Sequence, residues 1–262
     1  MTAVGQALRV VGSGCRTQWR LNRVSPLAVV TNAVGPVAYG AAITAGYGRP
    51  SPGLLLGAMA AGLWSALMIE PTVIVVNERS WGTLQSIAAT PTSVAWPLIG
   101  RLIGSCLTAL ICLPAIVVGM LLIFARSVPD VLAELGRTPA GVLAGAFAVT
   151  VVGLFGMSMV LMGVLIRFRY SAGMVNGLFG LMILLGGFFV PLEILPIGLE
   201  AVGRAIPAAW AVDALRQADS TTGPVELVVG AALAVAWCLL GAFLMGRSGR
   251  ALQRSPLAYS HG

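Results

Sequence analysis

Two carboxylates carry most of the chemical interest in this 262-residue chain. Glu70 sits inside an apolar stretch, directly before Pro71. An ionisable side chain at membrane depth is costly and marks a candidate functional position. Glu78 opens the run Glu78-Arg79-Ser80-Trp81-Gly82-Thr83-Leu84, and Leu84, Ile87 and Ala88 follow at helical spacing before Thr90-Pro91. The residue before a proline avoids the helical region, so Thr90 closes the segment. The pattern predicts a short helix at the membrane surface, or an interfacial linker with no partner. No nucleophile–base pair and no metal-ligand spacing accompanies these residues. The chain has no lysine; all 16 of its basic residues are arginine. It therefore cannot contain a Walker A loop, which needs a lysine on the nucleotide phosphates. Nor can it form a Schiff base with a carbonyl ligand. Any ATP-driven work has to draw on another chain.

The elements that position these residues are membrane spans. The chain is 58% hydrophobic and 10% charged, against roughly 45–50% and 25% in soluble domains. A bilayer core takes about 20 apolar residues of helix. Six stretches qualify: 26–47, 53–76, 96–124, 139–166, 172–190 and 225–245. With the N-terminus inside, eleven arginines fall inside (Arg9, Arg16, Arg20, Arg23, Arg79, Arg101, Arg167, Arg169, Arg247, Arg250, Arg254) and five outside. Both termini are therefore expected in the cytoplasm. The net charge of +7 is scattered between spans and does not point to nucleic acid. Three of the four cysteines lie in apolar spans and read as small buried hydrophobes.

The expected organisation is all-α, one domain of six transmembrane helices over 25–246. It is preceded by an amphipathic helix over 1–24 and followed by a cytoplasmic tail over 247–262. Leu8, Val11, Cys15 and Trp19 recur at helical spacing with Arg9, Arg16 and Arg20 on other faces. That predicts a helix lying on the inner leaflet, with a disordered basic tail as the alternative. Glycine pairs such as Gly53/Gly57, Gly100/Gly104, Gly141/Gly145 and Gly173/Gly177 predict close helix contacts. The segment between spans five and six mixes prolines, apolar residues and charges: Pro191, Glu193, Leu195-Pro196, Glu200, Arg204, Ile206-Pro207, Trp210, Asp213 and Arg216. It predicts short helices dipping into the outer leaflet, where protein or water satisfies the backbone.

Counting from Gly53 at about 1.5 Å per residue puts Glu70 about 25 Å along its span, near the inner interface. There it can meet water or an arginine such as Arg101. A structural ion pair and a part in substrate entry or gating both fit, and Pro71 is expected to kink the helix. Asn176, in the fifth span, suits an interhelical hydrogen bond, with a place on the pathway as the alternative. Met157, Met159 and Met162 read as packing or as part of a substrate path. Arg167-Phe168-Arg169-Tyr170 reads as an interfacial anchor or a secondary protein contact.

The two loops carry a resemblance. Glu78-Arg79-x-x-Gly82-Thr83-Leu84 with Thr90-Pro91 resembles the cytoplasmic signature of ABC-2 type transporter permeases. Pro191-x-x-x-Leu195-Pro196 with Ile206-Pro207, Asp213 and Arg216 resembles the last extracellular segment of the same family. The chain is most similar to the drug-export, daunorubicin-resistance-like branch. The resemblance implies that the first loop is a coupling helix seated in a cytoplasmic ATPase, with Glu78, Arg79, Gly82, Thr83 and Leu84 forming or orienting the contact. Many relatives carry a second acid after the arginine. Here Ser80 and Trp81 stand there, and Trp81 offers apolar area in its place. The implied assembly is two permeases, identical or paralogous, over two copies of an ATP-binding cassette ATPase. ATP and Mg would sit on the partner and no cofactor on this chain. The cargo would be a small hydrophobic or amphipathic compound: a drug, antibiotic or lipid. A gradient-driven carrier and a non-transporting scaffold are the rival readings. The carrier would want several intramembrane acids and finds only Glu70. High alanine, glycine and arginine without lysine points to a high-GC bacterium, hence its plasma membrane.

Overall fold

The computed structural model describes residues 3–25, 34–38, 41–42, 52–90, 92–123, 129, 133, 136–168, 185–188, 191–217 and 223–254. Every regular element among them is helical. In chain order these are α1 (Ala3–Val24), α2 (Pro52–Ser80), α3 (Thr83–Ala88), α4 (Ala95–Ile123), α5 (Ala140–Arg167), a 3-10 turn (Leu192–Ile194), α6 (Ile197–Arg204), α7 (Pro207–Arg216) and α8 (Gly223–Arg254). Four helices are long and apolar enough to cross a membrane: Gly57–Ser80 within α2, and α4, α5 and α8. They coincide with the second, third, fourth and sixth expected spans. The first and fifth expected spans, and Asn176 with them, lie largely or wholly outside the described residues.

α5 and α8 run parallel and form the broadest helix pairing. Gly156 and Gly163 bring the α5 backbone onto the α8 backbone at Cys238 and Met245, and Gly241 returns the contact against Met159. A side chain on any of the three would have to displace main chain or a Cβ. This close approach is what small residues permit between apolar helices. α2 joins the pair through Ser158 of α5, whose buried hydroxyl donates to the Leu67 carbonyl of α2. Two apolar cores result. One lies among α2, α4 and α7 and includes Leu63, Trp64, Leu67, Ile116, Phe188 and Val212. The other includes Ile74, Leu84, Leu98, Met162, Leu165 and Leu252. Call the end of the bundle that holds the second core, with α3 and the C-terminus of α8, the near end. α6 and α7 lie toward the far end.

α1 packs against α4. The Val11 carbonyl lies over Gly100 and the Cys15 carbonyl over Gly104, and Asn22 Nδ2 donates to Thr108 Oγ1 at 3.3 Å. Residue numbers rise together along both helices, so α1 runs parallel to α4. The expected helix flat on the leaflet is corrected accordingly. Its buried positions are Gly14, Gln18 and Asn22, while Leu8 of the expected apolar stripe is 67% exposed. Glycine on both helices allows the backbones to meet, and the amide side chains find polar partners on α2 (Gln18 to Glu70) and α4 (Asn22 to Thr108).

α8 continues as helix through the expected start of the tail at 247 to Arg254. α2 likewise absorbs Asn77–Ser80, which the sequence places in a loop.

Candidate functional site

The α2–α3 turn is built from its charged residues outward. Glu78 is 1% exposed in the last turn of α2. Its Oε2 accepts from Thr83 Oγ1 at 2.6 Å, tying the end of α2 to the start of α3. Arg101 Nη1 of α4 lies 2.5 Å from its Oε1, forming a buried salt bridge. The sequence offers Arg101 to Glu70. The structure gives it to Glu78, which corrects that pairing.

Arg79 turns to a third helix. Its guanidinium donates to the carbonyls of Leu165 (2.9 Å), Ile166 (2.8 Å) and Phe168 (3.2 Å) at the C-terminus of α5. Those carbonyls have no partner within their own helix. They carry the negative end of its dipole, so a cation there is favourable. Gly82 then adopts φ +68°, a left-handed conformation that glycine takes without steric cost. This bend separates α2 from α3. Leu84 and Ala88 of α3 face the near-end core, beside Ile74, Leu98, Met162, Leu165 and Leu252. Trp81 points away from the bundle and is 58% exposed. Thus Glu78, Arg79, Thr83 and Leu84 hold the turn, Gly82 shapes it, and Trp81 is the large side chain it presents outward.

Three residues on α8 support the turn and were not singled out from sequence. Leu252 is fully buried in the same core. Gln253 Nε2 donates to the Thr92 carbonyl at 3.0 Å, just past α3. Ser248 Oγ donates to the Gly163 carbonyl of α5 at 2.7 Å. The only sequence signal is the helical spacing of Met245, Ser248 and Leu252, which reads as tail once the apolar run ends.

Glu70 lies eight residues up α2, in a separate polar cluster. Its Oε2 accepts from Gln18 Nε2 of α1 (3.0 Å) and Ser105 Oγ of α4 (3.3 Å). Gln18 Nε2 also donates to Asn22 Oδ1 at 2.9 Å, and Asn22 reaches Thr108. The cluster joins α1, α2 and α4. Pro71 is buried inside α2, whose helical run continues past it to Ser80. Met159 and Met162 are buried in the near-end core, and Met157 packs on the other.

The segment preceding α8 is a helical hairpin made of α6 and α7. Pro207 at the start of α7 reaches Gly153 of α5 and Gly230 of α8, inside both helices. The polar backbone it carries inward is satisfied. Trp210 Nε1 donates to the Arg204 carbonyl (2.7 Å) and Trp237 Nε1 of α8 to the Ala205 carbonyl (2.9 Å). Arg204 gathers Glu193 (2.7 Å), Glu200 (3.6 Å) and Asp213 (2.8 Å), with its guanidinium 5.0 Å from the Trp210 ring centroid. Arg216 holds Asp213 at 3.0 Å and the Gly187 carbonyl at 2.9 Å. Burial pushes the Asp213 carboxyl upward from its ordinary value, against the pull of Arg216 and Arg204.

Between α2, α4, α5 and α7 lies a cavity of about 440 Å³, lined by Met59, Leu63, Val117, Phe147, Thr150 and Leu215 among others. Its lining is almost wholly apolar. The Thr150 hydroxyl is already committed to the Ala146 carbonyl at 2.8 Å. Such a space suits an uncharged or hydrocarbon group. Among the described residues no three His, Cys, Asp or Glu side chains group to hold a metal ion.

The arrangement offers an apolar space in a bundle, a salt-bridged hairpin toward one end, and an outward-facing turn braced by three long helices at the other. The family described as ABC-2 type transporter matches the chain over residues 13–219. No curated protein matches it.

Proposed function

The chain belongs to the ABC-2 type transporter family, and from that premise we propose that it is the membrane permease of an ATP-driven exporter whose coupling element is the α2–α3 turn. Permeases of this family work with ABC ATPase partners. In the proposed assembly two permease copies, identical or paralogous, sit over two ATPase chains in a bacterial plasma membrane. The near end and both termini face the cytoplasm.

The observation that carries this reading is the division of labour at the turn. Glu78 and Arg79 spend their charges inside the permease, on Arg101 and on the end of α5. Trp81 is left exposed. A buried anchor with an aromatic outside is the arrangement expected of a protein-contact hot spot. Movement of the ATPase against Trp81 and α3 would be passed through Leu84 and Ala88 to α2, α4, α5 and α8 together, because all contribute to one core. The four helices would then rock as a unit, which is rigid-body alternation of access.

The cargo proposed is small and hydrophobic or amphipathic, as in the drug-export branch. The apolar cavity supports this, since a saccharide would leave its hydroxyls unpaired there. Purification of the tagged chain in mild detergent from its host tests the reading. A stoichiometric ATP-binding subunit with vanadate-sensitive turnover, stimulated by an uncharged lipophilic drug or antibiotic, is the expected result. A preparation without a nucleotide-binding partner would sink it.

A further inference from the structure

The four arginines of α1 lie on one face. At about 100° per residue, Arg9, Arg16, Arg20 and Arg23 fall within about 60° of one another. Gly14, Gln18 and Asn22, the residues packed against α4, lie on the opposite side of the helix. Arg16, Arg20 and Arg23 are exposed, and no carboxylate among the described residues pairs with them. The sequence explains why. Among the described residues, Glu70 and Glu78 are the acids of the near half of the bundle; Glu193, Glu200, Asp213 and Glu226 follow in segments toward the far end. Glu70 is engaged by Gln18 and Ser105, and Glu78 by Thr83 and Arg101. Among the described residues nothing supplies a counter-charge to Arg16, Arg20 and Arg23.

The register of α1 on α4 indicates what supplies it. Val11 meets Gly100 and Asn22 meets Thr108, so Arg16, Arg20 and Arg23 stand beside roughly 103–110 of α4. That stretch is uncharged and past Arg101, within a candidate membrane span. A soluble subunit does not reach this level, but lipid does. Side chains on a helix lean toward its N-terminus, here toward the near end. The three guanidinium groups therefore reach back from the apolar zone to the headgroup layer. A planar guanidinium binds a phosphate through two parallel hydrogen bonds.

We propose that Arg16, Arg20 and Arg23 form a binding surface for the phosphate headgroups of anionic phospholipid in the near-end leaflet. The surface anchors α1, and through Gln18 and Asn22 it fixes the polar cluster around Glu70. The inference rests on the permease reading only in placing a bilayer beside α4.

Native mass spectrometry of the full chain in mild detergent, titrated with phosphatidylglycerol or phosphatidylcholine, tests it. The triple variant Arg16→Gln/Arg20→Gln/Arg23→Gln is expected to bind phosphatidylglycerol about a hundredfold more weakly, given about a fivefold contribution per arginine. The corresponding triple lysine variant should bind about three- to tenfold more weakly than wild type, keeping the charge but not the paired hydrogen bonds. Phosphatidylcholine adducts should be equally weak in all. Should the triple variant fail to fold, Arg20→Gln alone is expected to lose about fivefold. An Arg247→Gln/Arg250→Gln control should change little. Unaltered phosphatidylglycerol binding in the glutamine variants overturns the proposal, as does equal binding of phosphatidylcholine by wild type. A triple variant that keeps the lipid but loses an ATPase partner overturns it too, and makes the stripe a protein interface. Stripe-dependent lipid binding in a chain that captures no ATPase supports this inference while removing the coupling reading.

Discussion

Arg79 donates through Nη2 to the Ile166 carbonyl at 2.8 Å, so a residue in the last turn of one long helix also caps another. The contact makes the C-terminus of α5 follow any movement of the α2–α3 turn. Arg79→Ala is expected to lower stability in detergent by about 2 kcal/mol, the scale of a charge-assisted hydrogen bond to a carbonyl left otherwise unpaired. Transport should fall further than protein level does. Arg79→Lys should recover only part, because one ammonium cannot span the carbonyls of Leu165, Ile166 and Phe168 as a forked guanidinium does. Thermal unfolding of the three proteins side by side reads this directly. Equal stability of Arg79→Ala and wild type would remove the cap from the account.

Glu78 and Arg101 form a buried pair whose loss is asymmetric. Glu78→Gln leaves a partly buried guanidinium without its charge and is expected to cost about 3 kcal/mol. Arg101→Met should cost a similar amount by stranding the carboxylate. The double variant should be more stable than the sum of the two losses predicts, since no uncompensated charge remains. A double-mutant cycle on unfolding midpoints checks this, and strict additivity would show that the pair does not interact.

Gly82 is held at φ +68°. Gly82→Ala should insert normally and lose about 1 kcal/mol from the turn. Gly82→Pro, locked near φ −65°, should insert but fail to couple hydrolysis to export. Gly82→Asn, which tolerates the left-handed region, should be the mildest of the three. Transport assays on membranes with matched expression would rank them, and normal export by Gly82→Pro would show that the bend has no part in coupling.

At the hairpin, Arg204 binds three carboxylates and stacks near Trp210. Arg204→Gln is expected to destabilise modestly, by about 1–2 kcal/mol, because the guanidinium is a quarter exposed and the pair with Glu193 is largely solvated. Asp213→Asn should cost less, since burial already opposes its charge. Hydrogen exchange over α6 and α7 should rise in Arg204→Gln while the long helices keep their protection. Unchanged exchange in the hairpin would assign its order to apolar packing alone.

The span helices and the hairpin were legible in the sequence because each depends on local features: a long apolar run, prolines at helix starts, a glycine where the chain must turn left-handed. α3 was legible from the spacing of Leu84, Ile87 and Ala88. Partners across the fold were not. Arg101 is 31 residues from Glu70 and 23 from Glu78, and only the rotation of α4 against α2 decides between them. The packing face of α1 was misjudged for a related reason. An apolar-stripe reading selects Leu8, Val11, Cys15 and Trp19, whereas the helix docks through Gly14, Gln18 and Asn22. The four-residue spacing of those three, set against Gly100 and Gly104, was the signal available. It reads as a contact only when small and polar residues are treated as a helix interface. Leu252 and Gln253 were lost to the tail because they follow Arg247 and Arg250, where the apolar run has ended.

Trp81 tests the central claim most directly. It is 58% exposed and contributes to neither apolar core, so Trp81→Ala should leave the unfolding midpoint of the isolated permease unchanged. The same variant should co-purify with markedly less ATP-binding subunit from its host, with substrate-stimulated ATP turnover falling in proportion. Wild-type and variant preparations, matched for permease and compared for partner stoichiometry and turnover, give the answer in one experiment. Loss of the partner from a stable variant is the result predicted. Full partner recovery and turnover in Trp81→Ala would contradict the assignment of this turn as the coupling element.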